Sequence, residues 1–192
     1  MTDGRTCGGE RIAMKRRGFL RLGTGALAAA ALFDPVGVLA AGRVTPVRKL
    51  SLLNLHTSER LTAEYWVKGH YQADVLAEIE RILRDHRTGE RHAIDRGLLD
   101  LVYVLHNRLE RTDPFHIVSG YRSPATNAML RSRSGGVATN SYHMRGMAID
   151  LCLPGASTRQ IYRAALRMRC GGVGHYPDNG FVHVDVGPVR TW

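Results

Sequence analysis

The chain has 192 residues, 44% of them hydrophobic, and carries a formal charge of +10 at pH 7. It contains no internal repeat, low-complexity tract or dense basic run, which excludes a repeat array, a fibrous protein and a charged tail. The excess positive charge suits an anionic polymer. The arginines are scattered and no nucleic-acid-binding motif is present, so nucleic acid is not an expected partner.

The segment MKRRGFLRLGTGALAAAALF, from Met14, followed by DPVGVLAAG, has the charged head, apolar middle and small-residue end of an export signal. Its apolar run from Leu22 to Phe33 is too short to span a bilayer, which takes about 20 apolar residues. Arg16 and Arg17, followed by Gly18, Phe19, Leu20 and Arg21, resemble the twin-arginine signal pattern. An ordinary Sec signal and a retained anchor are the alternatives. Cleavage near Ala40 or Ala41 divides the chain into a signal, 1–41, and one domain, 42–192, with no stable membrane span. That domain, of about 150 residues, is large enough for a real core. Residues 1–41 hold six Lys or Arg and three Asp or Glu, a net +3, so the domain keeps +7. The expected location is the periplasm. Cys7 is lost with the signal, and Cys152 and Cys170 are left either as a disulfide in an oxidising compartment or as two buried thiols.

Residues 42–50 read as an extended lead-in, and alternation at Leu53 and Leu55 reads as a strand before a polar turn. Val75, Leu76, Ile79, Ile82 and Leu83 recur at helical spacing over 74–84. Asp95 is placed to cap a helix whose stripe is Leu98, Leu99, Leu101, Val102 and Leu105. A short strand follows at 115–118, then a helix opened by Pro124 and a loop over RSRSGGVATN. MAIDLCL reads as a strand, Ser157 opens a helix running to Arg169, GGVGHYPDNG is a loop or short strand with turns, and FVHVDVG is a strand of period two. The expected class is α+β, a small central antiparallel sheet flanked by helices.

Alternation along FVHVDVG puts His183 and Asp185 on one face and the valines on the other, and in MAIDLCL it puts Ala148, Asp150 and Cys152 on one face. Two such strands lie about 5 Å apart, and His143 can reach back from its loop. Two imidazoles and one carboxylate are the three protein ligands of an open catalytic zinc site. The same residues also fit a satisfied core histidine and a salt-bridged aspartate, and spacing alone does not choose.

Ser141, His143, Gly146, Ala148 and Asp150 spell S-x-H-x-x-G-x-A-x-D, with SGYRS upstream and FVHVD downstream. Together they resemble the zinc peptidases of the lysostaphin, D-Ala-D-Ala-peptidase and hedgehog superfamily, closest to the YcbK-type (MepK-like) murein endopeptidases. The resemblance runs from about residue 54 to the end. It implies Zn2+ held by His143, Asp150 and His183, Arg122 facing substrate and stabilising charge on the scissile carbonyl, and Ser141 beside the substrate. Peptidoglycan is the implied partner, cut at D-alanyl-diaminopimelate or diaminopimelate-diaminopimelate cross-links. A carboxypeptidase closed by Arg122 or Arg145, and an inactive wall-binding module, are the alternative readings.

Several relatives carry a glutamate three residues before the last histidine, where this chain has Gly180. The general base must then come from elsewhere. Asp185, about 7 Å along the strand from His183, is the first candidate, either as base or as the carboxylate that orients His183, and His175 is the second. Tyr121, Tyr142, Tyr176 and Trp192 are candidates to line a substrate groove.

Overall fold

The protein is described by a computed structural model over residues 47–192. The export-signal reading of 1–41 and the proposed start of the domain at 42 fall outside the described residues. Eight strands make one sheet. They are β1 (Val47–Asn54), β2 (Arg60–Val67), β3 (His70–Tyr71), β4 (Phe115–Ser119), β5 (Ala148–Cys152), β6 (Gly172–Tyr176), β7 (Phe181–Asp185) and β8 (Arg190–Thr191), and their order across the sheet is β3-β2-β1-β4-β5-β7-β6-β8. Among the described residues four α-helices complete the α+β fold: α1 (Ala73–Ile82), α2 (Arg96–Arg108), α3 (Pro124–Arg133) and α4 (Thr158–Met168).

The sheet is larger than the alternation suggests, and it is mixed. β1–β4 and β6–β8 pair in parallel, and the other neighbours are antiparallel. β2 goes unread in the sequence because only Tyr65 of its eight residues is buried. The phase of β1 also differs from the expectation. Leu50, Leu52 and Asn54 are the inward residues, while Leu55 is 46% exposed in the turn. Asn54 earns its burial by donating from Nδ2 to the Ile82 carbonyl at 2.8 Å.

The helices follow local signals closely. All five stripe residues of α2 are buried, each contributing about 1.5–3 kcal/mol of transfer free energy. Asp95 accepts from the Gly97 amide at 2.7 Å, the expected cap. Ser157 and Gln160 close a capping box at the start of α4. Ile149, Leu151, Val182 and Val184 join the helices in one core. By the two-residue period, Asp150 and His183 therefore stand on the opposite face of the sheet. That face, between the 134–140 loop and the C-terminal residues, carries the site. Cys152 is a free thiol, so it does not bridge to Cys170.

Candidate metal centre

Asp150 and His183 sit directly opposite one another in the β5–β7 register. His143 comes from a single 3-10 turn, Tyr142–Arg145, just before β5. Ser141 caps that turn, its Oγ accepting from the His143 amide at 3.3 Å. Gly146 ends the turn at φ 64°, and a Cβ there would collide with the Ala93 carbonyl oxygen, which explains glycine at this point of the motif. These three side chains are buried: His143 at 2%, Asp150 at 6% and His183 at 8% exposure.

Their inward atoms converge. His143 Nε2 lies 3.2 Å from His183 Nδ1, and Asp150 Oδ1 lies 3.3 Å from the first and 2.8 Å from the second. The outward nitrogens are already used. His143 Nδ1 is 2.7 Å from the Gly120 carbonyl oxygen, a pure acceptor, so the proton resides there. His183 Nε2 is 3.0 Å from Asp185 Oδ2, which holds the second ring's proton on its outer side. Two imidazole lone pairs and a carboxylate oxygen therefore face one another, an arrangement that repels itself unless a positive charge lies among them. Tetrahedral zinc with bonds of about 2.0–2.1 Å sets neighbouring ligand atoms about 3.3–3.4 Å apart, so the donor set and its spacing fit a divalent metal.

Burial works against ionising Asp150, but the His143 and His183 imidazoles overcome it and hold the carboxyl well below its usual range. Burial likewise opposes charging His183, and the negative charge of the adjoining Asp150 and Asp185 carboxylates outweighs it to raise the imidazole's pKa.

Asp185 shares a face with His183, as alternation requires, but it stands behind the ring. Oδ1 accepts from the amides of Gly172 (3.1 Å) and Gly187 (2.8 Å) and from Arg190 Nη1 (3.1 Å). Oδ2 accepts from His183 Nε2 and, at 2.6 Å, from Arg190 Nη2. It is fully buried, with both oxygens occupied by these partners on the outer side of the His183 ring. His175 is not brought to the converging atoms. It lies on the α4 face of the sheet, stacked on Tyr162 and bonded to Thr158 Oγ1. Gly180, at φ +74°, closes the β6–β7 turn, its amide donating to the Pro177 carbonyl at 3.1 Å.

Beside the centre opens a cavity of about 840 Å³. Arg122, Ser141, Tyr142, Tyr176 and Trp192 line it as expected, and Arg87, Arg190 and the 134–140 stretch join them. Tyr121 is instead buried against His92, and Arg145 lies over the Tyr142 ring rather than in the lining. Arg122 Nη2 sits 3.5 Å from Asp150 Oδ2, while its Nε is buried without a partner. Burial depresses the Arg122 pKa, against the opposing pull of Asp150. Arg190 had no signal in the sequence. It is gripped between the Tyr142 and Trp192 rings, at 5.1 and 5.0 Å, and it carries Asp185. Gly172 and Gly174 make room for this group, since a Cβ would meet Asp185 and Arg190 at the first and Trp192 at the second.

A buried His–Asp–His donor set opening onto an arginine-lined cavity, on an α+β sheet, defines a metallohydrolase of the peptidase type. The family described as peptidoglycan L,D-endopeptidase MepK matches residues 43–192. The chain is 43% identical over 183 residues to the peptidoglycan L,D-endopeptidase MepK of Escherichia coli (strain K12), covering 95% of this chain and all of that protein. It matches the MepK of Shigella flexneri equally well, and it is 38% identical over 182 residues to a probable MepK of Haemophilus influenzae, covering 94% of this chain and 97% of that one. The chain belongs to the MepK family of M15 peptidases.

Proposed function

We propose that the protein is a zinc-dependent murein endopeptidase of the periplasm, and that His143 Nε2, Asp150 Oδ1 and His183 Nδ1 hold the ion. The convergence of these three atoms, with both outer imidazole nitrogens already committed, is the observation that carries the reading. The relatives are named L,D-endopeptidases. Of the two cross-links the resemblance implies, only diaminopimelate-diaminopimelate joins an L-centre carbonyl to a D-centre nitrogen. D-alanyl-diaminopimelate joins two D-centres. The diaminopimelate-diaminopimelate amide is therefore the proposed scissile bond. Periplasmic location rests on the pattern around Arg16 and Arg17 and on where such a substrate occurs. No helix among the described residues is long and apolar enough to cross a membrane.

A divalent metal, when bound, polarises the scissile carbonyl and brings the pKa of a coordinated water toward ~7. The chain supplies the setting. Arg122 points donors into the cavity beside Asp150, where negative charge develops on the carbonyl oxygen. Asp185 and Arg190 fix the His183 ring so that only Nδ1 faces inward. Ser141 fixes the turn that presents His143. In this scheme Asp185 is a positioning residue. Asp185→Ala lowers metal affinity about 10- to 100-fold, and activity returns as zinc is raised. Metal titration of the variant checks this. Unchanged affinity with a turnover loss that zinc does not repair would return Asp185 to the role of base.

Digestion of purified sacculi tests the function, with muropeptides assigned by mass. Loss of diaminopimelate-diaminopimelate dimers is the expected result. Shortened stems with the dimers intact would make the protein a carboxypeptidase. Bound zinc without any product would make it a wall-binding module.

A further inference from the structure

The cavity holds more positive charge than the metal centre requires. Three guanidinium groups line it, from Arg87, Arg122 and Arg190, and Asp150 is the only acid among the described lining residues. Arg190 is neutralised by Asp185 and Arg122 approaches Asp150, whereas Arg87 makes no ion pair with any acid among the described residues. Arg87 is exposed, so its charge faces the cavity and solvent.

Its placement is built. Asp85 is 1% exposed and belongs to no part of the catalytic scheme, yet its two oxygens hold the backbone beside both Arg87 and Arg122. Oδ1 accepts from the Arg87 amide at 2.9 Å, and Oδ2 accepts from the amide of Ser123, next to Arg122, also at 2.9 Å. Burial opposes this charge, and the Thr126, Ser123 and Arg87 hydrogen bonds hold the carboxyl well below its usual range. One buried carboxylate thus ties together two guanidinium-bearing segments that repel each other across the cavity. Such a pair is stabilised when an anionic ligand lies between its members, and a planar guanidinium matches a carboxylate with two parallel hydrogen bonds.

Resting on the endopeptidase reading, we infer that Arg87, together with Arg122, recognises a free carboxylate of the substrate next to the scissile bond. In either diaminopimelate cross-link, the carbon bearing the scissile nitrogen also carries a carboxyl group. The enzyme therefore selects stems in which that carboxyl is free over stems in which it is amidated.

Kinetics of the zinc-loaded protein on two synthetic cross-linked dimers, one with the free carboxyl and one with the carboxamide, provide the test. The expected wild-type preference in kcat/KM for the free acid is about 10- to 100-fold, the worth of a hydrogen-bonded charge. In Arg87→Gln the preference collapses toward one. Equal wild-type rates on the two dimers, or a preference that survives in Arg87→Gln, would overturn the inference while leaving the endopeptidase reading intact. Cleavage of neither dimer by wild type would overturn both. Far-UV circular dichroism of the variant verifies that it is folded, as expected for an exposed side chain.

Discussion

Alanine at His143, Asp150 or His183 removes the bound metal and abolishes hydrolysis, by more than the factor of about 10² that the loss of a supporting partner alone produces. Each of the three supplies one of only three inward donor atoms, and no other His, Cys, Asp or Glu among the described residues joins the cluster. The effect also reaches stability. A ligand at 100 times its dissociation constant stabilises the folded state by about 2.7 kcal/mol. For a domain of this size that is roughly 5–10 °C in Tm. Adding zinc to the metal-free wild type should raise its Tm by that amount, and adding zinc to any of the three variants should not. Differential scanning calorimetry reads this without a substrate. A zinc-dependent Tm shift that persists in one variant would strike that residue from the ligand set.

Arg122→Ala lowers kcat about 10²- to 10³-fold with the metal retained. The expectation follows from its position. The guanidinium is held in the cavity wall, its 3.5 Å approach to Asp150 is longer than a firm ion pair, and its Nε has no partner. A group fixed in place with donors to spare is suited to charge that appears only during reaction. Arg122→Lys keeps the charge and loses the planar fork, so it recovers part of the loss. Steady-state kinetics at saturating zinc separate this role from a structural one. If Arg122 served only to hold Asp150, the variant would bind zinc weakly and regain full kcat at high zinc.

Much of the site was legible because its parts are local. His143, Gly146 and Asp150 fall within eight residues, and the period-two pattern of FVHVD separates the valines of the core from His183. Helix α2 was legible for the same reason, with five apolar residues at helical spacing behind an aspartate cap. What escaped notice depends on distant partners. β2 buries little of itself, and its hydrogen bonds come from β1 and β3. β8 is two residues long and exists because β6 lies beside it. Arg190 gains its role from aromatic rings at Tyr142 and Trp192, the first of them 48 residues away. Asp85 lies 38 residues from the Ser123 amide that it holds. Alternation correctly assigned Asp185 to the face of His183, but face alone does not say that five hydrogen bonds fix it behind the ring.

The most direct measurement is X-ray diffraction from crystals of the zinc-loaded protein, collected on both sides of the zinc absorption edge. The account predicts one anomalous peak bonded to His143 Nε2, Asp150 Oδ1 and His183 Nδ1, with His143 Nδ1 still on Gly120 and His183 Nε2 still on Asp185. An ion bound elsewhere, or those three side chains turned apart around an empty space, would contradict it.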